Sequence, residues 1–440
     1  MISFVAKEAF NLGMLTLIPQ MAILTFGRLV GAGCVFLVTL VLARFFDVNS
    51  LANYSLLLSI AGILSVLLPL GFHAIATLFA AEYQAIGKHQ ELKAFRHYAD
   101  RLTSLTTLAT APIAIAGAGL LPEHNGYDVL ALALLSVPMA FAMANIYLNS
   151  ALLIGLEHHY WAHLPDMVVR PALLLAGLGI LIINGSQASH NVLFFVMLAA
   201  TLTMLLQRIA VHRLLPSVPS EVLSIDILQK EKKRWWDLAP SHMKITLLWD
   251  YFFEIHLLIA SFFSTPDMVA TLFVCFRIRQ LAGFGIRSLY SLLMPKVIAA
   301  NAIDDKTKAQ TLLNQAVRLT FYYAAALWLI MAVVGEYILG AFGSAFSGQK
   351  LILLMLMGTM VIRSIYGPAA TVLGMYRHAD VVIQLLLGSL VLSLAITFAG
   401  IALFPELAIP VAYLVSTSFS AIAIWRIARK RTGLDTAVWG

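Results

Sequence analysis

Apolar residues fall along this chain in runs of about twenty, separated by short polar gaps. Twelve runs can be drawn: 21–43, 54–80, 103–121, 129–154, 167–183, 191–210, 243–263, 268–294, 317–335, 351–375, 381–402 and 408–427. A helix rising about 1.5 Å per residue needs roughly 20 residues to cross a hydrocarbon core, and within that core only a helix satisfies its own main chain. The pattern therefore predicts an all-α polytopic membrane protein with about 12 transmembrane helices. Residues 1–20 hold Lys7, Glu8 and a mildly apolar stretch, with no small-residue cleavage site after a clean basic start. They read as an interfacial helix continuous with the first run, not as a removable signal.

Composition supports the same class. The 440 residues are 60% hydrophobic and 12% charged, whereas a soluble domain carries about 25% charged residues. Mean hydropathy is +0.87. Cys34 and Cys275 both fall inside apolar runs and read as small packing residues, not as a disulfide or metal pair.

The polar gaps give an orientation. With the N-terminus cytoplasmic, 22 of the 29 Lys and Arg fall on the cytoplasmic side, and only Arg44 and Lys350 fall opposite. The positive-inside rule then places both termini in the cytoplasm. It also explains the basic balance without nucleic acid, because these charges face cytoplasm and anionic lipid.

The longest polar insertion, about 211–242, follows the sixth run. It holds Pro216, Pro219, Pro240, the basic run Lys230–Arg234, and Trp235 and Trp236. Charges beside tryptophans suit a segment at the headgroup boundary, and a plain solvated linker is the other reading. Expected boundaries are an N-terminal six-helix bundle over 1–215, a cytoplasmic interfacial linker over 216–242 and a C-terminal six-helix bundle over 243–440. Ala43, Phe45 and Phe46 recur as Ala260, Phe262 and Phe263 at a constant offset of 217. That offset is near half the chain, as a duplicated transporter predicts.

Charge inside the membrane is the candidate chemistry. Arg28, Arg277, Arg279, Arg287 and Arg363 lie within apolar runs, as do Asp250 and Glu254. An arginine near a bilayer midplane costs about 2.5–3.5 kcal/mol on insertion scales, so such residues face a cavity or a partner. Arg28 and Arg287 lie near enough to the cytoplasmic surface to snorkel instead. At about 100° per residue Arg277 and Arg279 point some 200° apart, so one cavity wall cannot hold both. Asp250 and Glu254, spaced i,i+4, share one helix face. They are candidates for ion coupling or for pairing with arginines of the neighbouring helix. His73 and His256 read as hydrogen-bonded packing residues before proton carriers. Five arginines against two carboxylates leave an excess of three positive charges. That favours an anionic cargo, since guanidinium pairs bidentately with phosphate.

The sequence contains no Walker A, H-E-x-x-H, G-x-S-x-G or C-x-x-C motif. No catalytic residue, cofactor or metal set is therefore expected, and directional transport would draw on an ion gradient, the membrane potential or product removal.

Several stretches carry a resemblance. FGRLVGAGCVFLVTLVLARFF (26–46), NYSLLLSIAGILSVLLPLGFHAIATLFAAEY (53–83), ILGAFGSAFSG (338–348) and YGPAATVLGMYRHADVV (366–382) resemble polysaccharide-type, Wzx-like lipid-linked oligosaccharide flippases. These form a branch of the multidrug/oligosaccharidyl-lipid/polysaccharide (MOP) exporter superfamily. The resemblance implies two six-helix bundles around a central cavity that opens alternately to each side of the bacterial inner membrane. It implies a polyprenyl-pyrophosphate-linked oligosaccharide as cargo, with polysaccharide polymerase and glycosyltransferases as pathway partners. Arg28 in G-R-L-V-G, and Arg277 eighteen residues before Pro295, resemble head-group arginines of the related peptidoglycan-precursor flippases. The chain departs from that group in lacking a second arginine shortly after Arg28 and in adding Arg279 and Arg363. An O-antigen, capsule or exopolysaccharide unit is the expected cargo. An ion-coupled multidrug or metabolite antiporter of the same superfamily is the alternative, and an integral-membrane polymerase or ligase the third reading.

Overall fold

The computed structural model describes residues 26–27, 29–118, 127–215, 225–303, 305–376 and 378–440. Arg28 lies outside these residues. Among the described residues there is no strand. Helices α1 (Leu29–Phe45), α2 (Val48–Leu67), α3 (Phe72–Ala85), α4 (His89–Ala118) and α5 (Val129–Gly155) come first. The helices α6 (His159–Leu164), α7 (Arg170–Ile183) and α8 (Ser189–Leu214) follow, with a π-helical turn Pro165–Val169 joining the first two. Then come α9 (Ile225–Asp250), α10 (Phe252–Phe263), α11 (Pro266–Ala282), α12 (Phe284–Ala302) and α13 (Lys306–Phe342). The last are α14 (Lys350–Tyr366), α15 (Ala369–Met375), α16 (Ala379–Leu403) and α17 (Ala408–Thr432).

All twelve predicted spans fall on helix over their described residues. Among the described residues, eight helices are long and apolar enough to cross a membrane unaided, or up to ten if each bent pair counts as one span. The remaining spans fall short for local reasons. The described apolar part of α1 is Leu29–Phe45, α3 has 14 residues, and the apolar half of α4 runs into residues outside the described set.

Four spans are interrupted, at Leu68–Gly71, Tyr251, Gly283 and Gly367–Pro368. Proline alone does not mark these breaks: Pro112, Pro138 and Pro295 sit inside unbroken helices. At two breaks the chain instead enters the left-handed region, at Leu70 (φ 48°) with Gly71 (φ 90°), and at Gly367 (φ 62°). Glycine suits that region because it has no Cβ.

The described residues cluster into two helical units, one drawn from those within 26–42, 60–118 and 128–243, the other from those within 43–59, 127 and 244–440. The first unit has an aromatic core of Phe72, Phe79, Tyr83, Phe95 and Trp235. The described part of the expected linker is helix α9, and its Trp235 is 0% exposed, packed inside this unit. The indole donates to Tyr83 Oη (2.8 Å), which donates to Glu231 Oε2 (2.7 Å), while Arg234 bridges Glu231 and Glu82. A basic run reads as solvent-facing, but these partners turn one side of it inward.

The second unit has its buried clusters along α12, α13 and α15 to α17. The long α13 ends where Arg44 donates to the Gly340 and Ala341 carbonyls, which the helix cannot satisfy itself. His256 sits in this unit's interior between Phe252 O and Ser393 Oγ, as a hydrogen-bonded packing residue.

Candidate functional site

A cavity of about 540 Å³ lies within the second unit. Its walls come from the end of α9 with α10, from α11, α12 and α14, from the Gly367–Pro368 break with α15, and from α17. Three of the predicted arginines line it: Arg279, Arg287 and Arg363. Both predicted carboxylates, Asp250 and Glu254, line it too.

Helix spacing explains why these side chains converge. On α11, Phe276, Arg279, Gln280 and Gly283 fall on one face at steps of three and four, and all line the cavity. Met360, Arg363, Ser364 and Gly367 do the same along α14. Asp250 and Glu254 reach it differently from the expected continuous helix face. Asp250 ends α9, Glu254 lies in the first turn of α10, and the two helices meet at 65°.

Aromatic faces hold the guanidinium groups. Arg279 lies over Phe276 (5.6 Å) and Tyr413 (5.7 Å), and its Nε donates to Thr359 Oγ1 (2.9 Å). Arg363 lies over Trp249 at 5.0 Å. Such contacts fix the plane of the guanidinium while leaving its edge N–H groups for a ligand. Among the described residues, no carboxylate lies within 4.0 Å of Arg279, Arg287 or Arg363, although Asp250 and Glu254 share their cavity. The two carboxylates thus share the cavity with these three arginines without a contact inside that distance. Glu254 Oε2 is buried with no hydrogen-bond partner among the described residues.

Arg277 does not line this cavity. Its Nη1 donates to Gln280 Oε1 (2.6 Å), and its guanidinium lies over Phe273 at 4.6 Å. The 200° divergence from Arg279 separates the two, and Arg279 takes the cavity face. The lining therefore holds three arginines and two carboxylates, one positive charge in excess instead of three. Asn145 and Asn149 lie on α5 in the first unit, where Asn145 donates to Phe141 O (2.8 Å). Sequence reasoning missed Trp249, Tyr413 and Thr359. Aromatic and hydroxyl residues inside apolar runs carry no signal of their own until a guanidinium is seen against them.

The described residues form two helical units with interrupted apolar helices, and the second unit encloses a polar cavity. Comparison with solved structures places this fold. An inward-facing multidrug resistance MATE family transporter of the MOP superfamily matches with a TM-score of 0.74 at 14% identity, over 92% of this chain and 98% of that one. The lipid II flippase MurJ in an inward closed conformation matches at 0.67 and 13%, over 93% and 87%. A MOP superfamily transporter from Pyrococcus furiosus, for which reverse polarity of the binding pocket suggests a different function, matches at 0.62 and 15%, over 93% and 94%. The chain has the fold of the MOP superfamily transporters. No family model matches it, and no curated protein sequence does.

Proposed function

We propose that this protein is a flippase, moving a polyprenyl-pyrophosphate-linked oligosaccharide across the bacterial inner membrane by alternating access. The cargo would be an O-antigen, capsule or exopolysaccharide repeat unit. The observation that carries this reading is the set of aromatic-held arginines, Arg279 and Arg363, with Arg287, around a cavity in which no carboxylate pairs with them directly. A pyrophosphate supplies the negative charge and the paired acceptor oxygens that a planar guanidinium fork can engage. In this reading Arg279 and Arg363 bind the pyrophosphate, Arg287 extends the basic surface, and the prenyl tail stays in lipid. The pathway's glycosyltransferases would act before translocation and its polymerase after it.

A second reading draws on the same cavity. Asp250 and Glu254 share it, and Glu254 Oε2 has no partner among the described residues, as an ion-coupled multidrug or metabolite antiporter would need. The excess of one positive charge favours the flippase.

Lipid mass spectrometry on cells lacking this protein separates the two. The flippase reading expects one complete, unpolymerised polyprenyl-pyrophosphate oligosaccharide to accumulate on the cytoplasmic side. If the pathway is active, no second flippase substitutes and no such lipid accumulates, the antiporter reading takes its place.

A further inference from the structure

Beyond Thr432 the chain leaves α17 through Gly433 (φ 74°) and turns back along the second unit. This stretch is received by side chains set out for it. Gln310, Asn314 and Arg318 recur every four residues along one face of α13. Gln310 both donates to Asp435 O (2.6 Å) and accepts from Asp435 N–H (2.8 Å). Asn314 donates to Gly440 O (2.6 Å) and Arg318 to Val438 O (3.3 Å). From α17, Trp425 donates to Asp435 Oδ1 (2.8 Å) and Arg429 lies 3.3 Å from Oδ2. Leu434, Thr436 and Ala437 are buried against these helices.

Two contacts give the stretch a consequence. Thr436 Oγ1 donates to Tyr366 O (2.7 Å), and Val438 N–H donates to Ile365 O (2.9 Å). In an unbroken helix those carbonyls would accept from the N–H groups of Ala370 and Ala369, four residues on. They cannot here, because α14 stops at Tyr366 and α15 restarts at Ala369, bent by 44°. The returning chain thus supplies the two bonds that the break removes. It also occupies the outside of the turn: a Cβ on Gly367 would strike Thr436 O. Gly367 to Thr371, the residues so held, form one wall of the cavity.

We infer that residues 433–440 are a releasable strap that keeps α14 and α15 bent, and that its release lets the two helices join and reshapes the cavity wall. The consequence for transport rests on the cavity reading given above; the coupling of strap to bend does not.

Hydrogen exchange on the purified protein, resolved to single amides, tests the coupling without a transport assay. The variants are a deletion of 434–440 and, with the chain length kept, Gln310→Ala combined with Thr436→Val. A first-turn helix N–H has no acceptor within its own helix. Release should therefore slow exchange at Ala369 and Ala370 by about fivefold or more, as they gain Ile365 O and Tyr366 O, while strap amides such as Val438 speed up in the double variant. A strap that is only structural glue predicts the opposite sign at Ala369 and Ala370. Faster exchange there, or a change under twofold, overturns the inference. If the deletion does not fold, the double variant carries the test alone. Flipping measured on the same preparations separates the two readings: slowed exchange with unaltered flipping supports the strap and removes its link to the proposed transport.

Discussion

Each unit holds one interrupted membrane helix whose turn puts a glycine at positive φ, but the two turns are closed by different means. At Gly71 the cover is α9: a Cβ there would strike the Ala239 carbonyl, and beside it Trp235 and Phe72 pack into an aromatic core. At Gly367 the cover is the short stretch 433–440, held by hydrogen bonds and by the packing of Leu434, Ala437 and Trp439. Only the second turn forms part of the charged cavity's wall. Apolar burial is non-directional and lost only when the whole face separates, whereas a hydrogen-bonded strand exchanges its bonds for water at small net cost. On the strap inference, the second turn is the one that can open, because its cover is only eight residues long.

That contrast can be broken, the largest effect first. Trp235→Ala removes a fully buried indole and leaves Tyr83 Oη without its donor. It should cost about 3–5 kcal/mol of stability, read as a fall in thermal unfolding temperature in detergent, while the folded fraction binds cargo unchanged. Gly71→Ala forces an L-residue to φ 90° against a fixed backbone carbonyl. Its cost is about 1–3 kcal/mol. Gly367→Ala would strike Thr436 O and the Val317 side chain. It should cost less than Gly71→Ala in the same assay, because the stretch carrying Thr436 can lift away and Val317 meets it only with a methyl group; an equal or greater loss would erase the distinction between the turns. Arg429→Ala removes an exposed guanidinium from Asp435, which keeps its bond from Trp425. It should change stability by about 0.5 kcal/mol or less, which a thermal melt would show as a shift near the limit of detection.

Much of this was legible in the sequence, for identifiable reasons. The spans were, because twenty apolar residues have few other uses. The charged residues of the cavity were, because an arginine deep in an apolar run needs a reason to be there. Which arginine faces the cavity was not. Spacing shows that Arg277 and Arg279 diverge, but the rotation of α11 about its axis is set by packing such as Phe253 stacked on Phe276. Trp235 was misread because its lysine and arginine neighbours suggest water, while its burial depends on Tyr83 and Phe95, about 150 and 140 residues earlier in the sequence. The strap was invisible for the same reason. Gln310, Asn314 and Arg318 look like an ordinary polar helix face until the returning main chain is seen on it.

The central claim is that aromatic-held arginines of the second unit bind a pyrophosphate. Its most direct test is the affinity of the purified protein for a polyprenyl pyrophosphate, by native mass spectrometry, for wild type, Arg279→Gln, Arg363→Gln and Arg363→Lys. Hydrogen bonds to a charged group are worth about 1.5–3 kcal/mol, so each glutamine variant should weaken binding about tenfold or more at unchanged stability. Arg363→Lys should recover only part of the loss, because it keeps the charge but not the planar fork that Trp249 holds. Wild-type affinity in both glutamine variants, with the protein folded, would contradict the account.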